Sequence, residues 1–346
     1  MVDLRSLTLP EMTEFVKSLG EPAFRAKQVF GWIYKGITDF RGMKNLPEVF
    51  RLKLSEVSRI GRLEVLNEQV SKSDGTRKFL FGLADGNAVE SVFMKYRYGN
   101  SICLSSQAGC RMGCRFCAST RAGLVRDLTA GEIVSQLLEA EAATGEKINH
   151  IVVMGTGEPF DNYENLAGFI RIVTDSTGRG MSMRNITVST CGIVPAIERF
   201  GEDFPQVNLA VSLHGATDGV RGSMMPVNGK WPVAELISVC RDYTEKTHRR
   251  ITFEYTLVNG VNDSDGDAEN LCRLLRGMLC HVNLIPLNKV DGTGFDTVSR
   301  KRAGEFKEIL ENAGVPATVR RELGADIDGA CGQLRLNNIK RSGANN

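Results

Sequence analysis

The 346-residue sequence contains no apolar run near the ~18 residues that a membrane span needs. Its start, Met1 to Phe15, carries Asp3, Glu11 and Glu14 where a secretory leader would be charged and then apolar. A cytoplasmic chain with no membrane partner is therefore expected. An excess of charge of either sign is also missing, since 43 Lys and Arg stand against 41 Asp and Glu for a net +2. That balance neither demands nor excludes a nucleic-acid partner. Low-complexity tracts are absent apart from the polar tail after Asn338. A complete G-x-G-x-x-G loop is absent too: Gly155-Thr-Gly157 reaches Phe160 at the sixth position, and Pro159 interrupts any helix starting there. Dinucleotide binding of that kind is set aside. Nine cysteines, an odd number, give no even disulfide framework, so in a reducing compartment they act as ligands, nucleophiles or small core residues.

What is present reads as a globular chain of about two domains, with 42% hydrophobic and 24% charged residues. Residues 1–75 suggest a helical accessory unit, with helices over Leu9 to Leu19, Ala23 to Tyr34 and Pro47 to Ile60. Its Arg25, Lys27, Lys35, Arg41, Lys44, Arg51 and Lys53 suit RNA phosphates or simply a solvated face. Residues 76–95 form a connecting β-hairpin, Arg77 to Gly82 and Ala88 to Tyr96 around Asp85-Gly86-Asn87. Over 96–326, strands near Ser101, His150 to Met154, Asn185 to Ser189, Val207 to Leu213, Ile251 to Val258 and His281 to Leu287 alternate with helices. Six βα units give an α/β fold, a partial TIM-like (β/α)6 barrel with its site at the C-terminal strand ends. Thr129-Ala-Gly-Glu132 is a capping box opening the first barrel helix. Residues 327–346 form a C-terminal segment.

Between the first barrel strand and that helix lies Cys110-Arg-Met-Gly-Cys114-Arg-Phe-Cys117. Three thiolates in a C-x3-C-x2-C spacing reach one soft metal centre, and a four-iron cluster held by three leaves one iron for another ligand. A zinc site completed by Cys103 or a distant cysteine is the alternative, and unligated thiols are a third. Cys191, Cys240, Cys272 and Cys280 lie in or beside apolar runs and read as buried small hydrophobes. From Ser91 to Arg126 there are six basic residues, Lys95, Arg97, Arg111, Arg115, Arg121 and Arg126, and no acidic one. This local excess suits an RNA backbone approaching the cysteine loop.

With Phe116 just before its last cysteine, the triplet resembles the signature of the radical S-adenosylmethionine superfamily. Further motifs occur in order: Cys103-Leu-Ser-Ser-Gln-Ala-Gly-Cys110, Met154-Gly-Thr-Gly-Glu-Pro159, Val188-Ser-Thr190, Ser212-Leu-His214, Ile285-Pro-Leu-Asn288 and Gly329-Ala-Cys331-Gly-Gln333. With Phe24 to Tyr34 at the front, they make nearly the whole chain similar to the RlmN/Cfr family of adenine RNA methyltransferases. The resemblance implies a [4Fe-4S] cluster on Cys110, Cys114 and Cys117 whose free iron chelates S-adenosylmethionine, used twice per turnover. It further implies that Gly157, Glu158, Ser189, Ser212, Leu213, His214 and Asn288 bind that cofactor. Thr156 stands where many relatives carry methionine, at a residue whose flanking backbone meets the cofactor.

The implied reaction makes 2-methyladenosine in the peptidyl-transferase region of 23S rRNA and at the adenosine 3′ of the anticodon in tRNA. Carbon 2 of adenine offers no lone pair for direct methyl transfer, so a radical is needed. By the resemblance, Cys331 carries the methyl group and Cys103 resolves a covalent RNA adduct by forming a transient disulfide with Cys331. Glu90, 13 residues before Cys103, matches the family's proton acceptor, and an unidentified electron donor serves the cluster. A Cfr-like methylation of carbon 8 is the alternative within the family. An RNA-binding protein with a structural zinc is the alternative of another class.

Overall fold

The computed structural model describes residues 1–287, 294–321, 323–324 and 326–327. Strand β1 (Val2–Asp3) is followed by helices α1 (Leu9–Ser18), α2 (Phe24–Tyr34) and α3 (Glu48–Val57), then by β2 (Ser58–Arg59), parallel to β1. The start of α1 follows from its sequence, because Glu11 reaches back to accept the Thr8 N–H at 2.8 Å and Pro10 occupies the first turn. All three expected helices are present within a few residues of their expected ends.

The sheet then runs β3 (Glu64–Val70), β4 (Arg77–Gly82), β5 (Ala88–Tyr96) and β6 (Gly99–Cys103), with a small pair β7 (Gln107–Gly109) and β8 (Leu124–Asp127). Next come α4 (Ala130–Thr144), β9 (His150–Val153), α5 (Tyr163–Thr174), β10 (Ile186–Thr190), α6 (Val194–Asp203), β11 (Asn208–Ser212), α7 (Asp218–Met224) and α8 (Val233–Thr247). The chain continues through β12 (Ile251–Leu257), α9 (Asp265–Leu275), β13 (Cys280–Pro286), α10 (Arg300–Asn312) and β14 (Ala317–Val319). Among the described residues ten strands share one sheet in the order β14-β13-β12-β11-β10-β9-β6-β5-β4-β3. From β6 to β14 every neighbouring pair is parallel, and β3 to β6 are antiparallel.

The six expected parallel strands are all present, and β14 adds a short seventh. The hairpin is larger than expected: β3 pairs with β4, so a strand lies inside the 1–75 segment read as helical. Nor do the N-terminal helices keep a core of their own. Met12, Val16, Phe30, Phe50 and Leu54 belong to the same contiguous apolar core as the barrel. Arg5, buried, donates to Glu139 at 2.8 Å and to Ser135 at 3.0 Å on α4, locking the two parts together.

Alternation along the strands divides the sheet into two environments. Ile151, Val153, Ile186, Val188, Val211, Phe253 and Leu284 are fully buried on the face that the helices cover. Val152, Ser189, Ser212 and Asn283 point the other way and stay half-exposed, lining an interior that opens at the C-terminal strand ends. The helices supply the stability of this wall, which leaves the inner face available for polar chemistry.

Candidate functional site

The antiparallel pair β7–β8 closes the cysteine loop, 110–123, at its neck. There the Cys110 N–H donates to the Gly123 carbonyl at 3.0 Å. A Cβ on Gly109, whose φ is +94°, would lie 2.0 Å from that same oxygen, so only glycine fits. Inside the loop the Cys117 N–H donates to the Cys114 carbonyl at 3.1 Å, and the Thr120 hydroxyl donates to the Cys114 and Cys117 carbonyls at 3.2 and 3.1 Å. The far side rests on α7, where the Arg115 N–H donates to the Met224 carbonyl at 2.9 Å. Met112, Cys114 and Phe116 pack on a small apolar cluster at the strand ends that contains Cys191, Met224, Met225, Val258 and Leu287.

This dry setting controls the thiols. Burial pushes Cys110 up to about 12, opposed by the Met112 backbone and aided by Glu158 and Cys117. Burial also raises Cys114, with Cys117 and Cys110 adding to it. Burial therefore disfavours the thiolate forms of Cys110 and Cys114, which a bound cation would stabilise. Among the described residues, no three His, Cys, Asp or Glu side chains gather round one metal-ion position. Thiolates on a single zinc all sit ~2.3 Å from a common point, whereas the cysteines of a cubane are spread round a larger cluster. Three thiols on one short loop suit a [4Fe-4S] cluster that keeps one iron for another ligand.

After β9 the chain turns through Gly155 to Glu158 against the segment that follows β6. The Gly155 N–H donates to the Leu104 carbonyl at 2.9 Å, and the Thr156 carbonyl accepts from the Ser106 and Gln107 N–H groups at 2.9 and 3.1 Å. Thr156 thus bonds through its backbone. Gly157 has φ +113°, and a Cβ there would lie 2.6 Å from Ser106 Oγ and 2.8 Å from the Gln107 nitrogen. Glu158 is buried, its carboxylate accepting from the Cys191 N–H at 2.7 Å and the Phe160 N–H at 3.0 Å. Burial raises its pKa, against hydrogen bonds from Cys191, Thr190 and Phe160. Cys191 itself is buried in the apolar cluster at the strand ends, as expected, and meets Glu158 through its backbone N–H. Beside Gly157 the buried Ser106 hydroxyl has no hydrogen-bond partner among the described residues, so it suits a polar ligand atom.

Ser189 and Ser212 lie on the inner face at the ends of β10 and β11. Leu213 is fully buried in the core, so it offers the interior only backbone, and its N–H already donates to the Glu254 carbonyl at 3.0 Å. His214 adopts φ +54°, uncommon for any residue with a side chain. Its Nδ1 accepts from the Thr256 N–H at 2.9 Å, which leaves the proton on Nε2. Burial, and then the charge of Arg221, hold its pKa down to about 3. The Phe116 ring meets it edge-on at 4.9 Å. Sequence reasoning missed Asn262, whose amide donates to the His214 carbonyl at 2.8 Å and the Thr256 carbonyl at 2.7 Å.

Glu90 and Cys103 share one face of the sheet, because Glu90 lies two residues before Val92 and Val92 pairs with Cys103. Cys103 pairs in turn with Val152 and Val152 with Thr187, two residues before Ser189, so this is the inner face. Glu90 is 3% exposed and receives the Lys78 ammonium at 3.0 Å, another residue the sequence reading missed. Asn288 and Cys331 lie outside the described residues. The chain leading to Cys331 is nevertheless anchored: Asp326 accepts from Ser71 Oγ at 2.6 Å and the Lys72 N–H at 2.8 Å, and the Gly324 N–H donates to Asp74 at 2.9 Å. Burial alone would raise Asp74, but bonds from Gly324 and Thr76 bring it to about 2.

The local basic excess is smaller in three dimensions than along the chain. Arg111 pairs with Asp161, Arg126 with Asp85 and Glu132, and Lys95 with Glu146. Arg97, Arg115 and Arg121 remain exposed.

Comparison with known proteins agrees with this geometry. Residues 2–60 match the ribosomal RNA large subunit methyltransferase N-terminal domain, and residues 104–272 match the radical SAM superfamily. The chain is 52% identical over 344 residues to a probable dual-specificity RNA methyltransferase RlmN of Clostridium perfringens, covering 99% of each chain. It is 49% identical to the protein of that name from Clostridium tetani, covering 99% of this chain and 98% of the relative. A radical SAM methyltransferase from Sphaerobacter thermophilus superposes with a TM-score of 0.91 at 45% identity, over 96% of this chain and 99% of that one. Radical SAM enzymes work with a [4Fe-4S] cluster and S-adenosylmethionine, the pair that the cysteine loop and its surroundings fit. The chain belongs to the RlmN family of dual-specificity RNA methyltransferases within the radical SAM superfamily.

Proposed function

We propose that this chain methylates carbon 2 of adenosine in the peptidyl-transferase region of 23S rRNA and at the adenosine 3′ of the anticodon in tRNA. The observation that carries the reading is the common inner face of Glu90 and Cys103, which continues to Ser189 and Ser212 and opens beside the cysteine loop. In this reading Cys110, Cys114 and Cys117 hold the cluster. Gly157, Glu158, Ser189, Ser212, His214 and Asn288, with the backbone of Leu213, hold S-adenosylmethionine. When bound, the two together supply a methyl group and the one-electron chemistry that a carbon without a lone pair requires.

The protein's own groups do the rest. The Cys331 sulfur accepts the methyl group; once the one-electron chemistry has removed a hydrogen atom from it, its carbon bonds to carbon 2, and the odd electron of the adduct would return to the one-electron centre as the carbon-2 proton leaves. Glu90 takes the proton displaced from carbon 2, with its carboxylate oriented by Lys78 at 3.0 Å. Cys103, as its thiolate, then attacks the Cys331 sulfur, so that an S–S bond forms as the S–C bond breaks with its electron pair left on the carbon, which takes up a proton to become the methyl group. Cytoplasmic thiols reopen that disulfide for the next turnover. The glycine at 157 lets its turn pack closely on Ser106 and Gln107, and the neutral His214 adds a donor without adding charge.

Nucleoside mass spectrometry of rRNA and tRNA from cells with and without the gene tests the reading. 2-Methyladenosine in both RNAs that disappears with the gene is expected. 8-Methyladenosine in its place would favour the carbon-8 alternative, and no change in either RNA would contradict the assignment.

A further inference from the structure

Arg221 lies on α7 and is fully buried, yet among the described residues it makes no ion pair. Its guanidinium donates to three neutral oxygens: the Cys191 carbonyl at 2.6 Å, Asn228 Oδ1 at 2.9 Å and the Trp231 carbonyl at 3.4 Å. The Nε–H has no partner among the described residues. Asp218 lies behind Asn228, with its carboxylate already accepting from the Asn228 amide and the Val233 N–H. Its helix meets the cysteine loop directly: the Met224 carbonyl on α7 accepts from the Arg115 N–H at 2.9 Å, and Cys114 packs on the apolar cluster formed by Cys191 and Met224. The approach is built in: Gly192, at φ +103°, would place a Cβ 3.0 Å from an Arg221 terminal nitrogen. A buried cation without an anion is costly and is tolerated where a counter-charge arrives.

We infer that Arg221 is the fixed counter-charge of the cysteine loop, offsetting the thiolates and their cluster and setting how readily that centre takes up an electron. The inference rests on the reading of Cys110, Cys114 and Cys117 as cluster ligands. Three thiolates on a [4Fe-4S] core of charge two plus sum to one negative charge. One electron from an external low-potential donor makes it two, and no bond forms or breaks. A guanidinium held in an apolar surround favours the more negative state. Its hydrogen bond to the Cys191 carbonyl also fixes the backbone whose N–H binds Glu158, so Arg221 is a positioning residue as well as a source of field.

The test uses anaerobically loaded wild type, Arg221→Gln and Arg221→Lys, titrated with dithionite and followed by electron paramagnetic resonance of the reduced cluster. Arg221→Gln keeps a donor and loses the charge, so its reduction constant should fall about tenfold or more, roughly 59 mV for one electron. Arg221→Lys should stay near wild type. Thermal unfolding of the metal-free proteins gives a second readout: Arg221→Gln should be no less stable than wild type there, and should gain less on loading. An unchanged potential in Arg221→Gln, or a metal-free variant that is destabilised or fails to fold, would show that Arg221 acts only as a structural donor and would overturn the inference. A wild-type protein that takes up no cluster would remove the ligand reading and the inference together, whereas a loaded wild type with unshifted variants removes the inference alone.

Discussion

Gly157 and His214 both have positive φ beside the proposed cofactor, one without a side chain and one with a large ring. Their costs differ. An alanine at 157 meets Ser106 Oγ and the Gln107 nitrogen inside 3.0 Å in addition to its unfavourable φ. Gly157→Ala should therefore cost more than the ~1–2 kcal/mol of the backbone conformation alone. Urea unfolding measures that loss, and an unchanged midpoint would show that the loop moves aside freely. His214 makes a pH-dependent contribution instead. Its pKa is near 3 when folded, below the ordinary 6.5, so the unfolded chain binds the extra proton first and stability falls as pH drops below about 6.5 towards 3. Between pH 7.5 and 5.5 wild type should lose about 1.4 kcal/mol more than His214→Gln. Parallel pH profiles for the two proteins would contradict the buried neutral imidazole.

Among the elements, the turn between β3 and β4 has a specific task. Ser71, Lys72 and Asp74 bind Gly324 and Asp326, and Cys331 follows Asp326 by five residues. Five residues of extended chain reach at most about 18 Å, so this anchorage bounds where the Cys331 sulfur can go. Asp326→Ala should leave the fold intact and slow methyl loading of Cys331, measured by mass spectrometry of the intact protein. Loading at the wild-type rate would show that the anchorage does not matter. The elements also show what a sequence conveys. The Thr129 capping box and the strand runs from 150 to 287 are local patterns, and the fold reproduces each. β3 escaped notice because it is an edge strand with no fully buried residue, hence no apolar alternation, and β14 has only three residues. Arg221, Asn262 and Lys78 carry no local signal. Their importance depends on partners brought in by the fold, such as Cys191, 30 residues from Arg221, and His214, 48 residues from Asn262.

For the whole molecule, near neutrality hides an uneven distribution of charge. Three of the basic residues around the cysteine loop are neutralised by acids from elsewhere, while Arg97, Arg115 and Arg121 stay exposed. If RNA phosphates meet this rim, Arg115→Gln should reduce the salt dependence of RNA binding by ~0.7–0.9 log units per tenfold salt. Arg126→Gln, already paired to Asp85 and Glu132, should change that slope little. Equal effects of the two substitutions would contradict the pairing pattern as a guide to the RNA surface.

The proposed division of labour between two thiols is tested most directly by a denaturing gel of Cys103→Ala and Cys331→Ala, each isolated from cells and run with and without nuclease. Cys103 sits 9% exposed on the inner face with Glu90, and without it the thioether to RNA has no thiol to displace it. Cys103→Ala should therefore carry covalently bound RNA that nuclease trims, while Cys331→Ala, lacking the carbon carrier, should carry none. An adduct on Cys331→Ala, or free protein and multiple turnovers from Cys103→Ala, would contradict the covalent route.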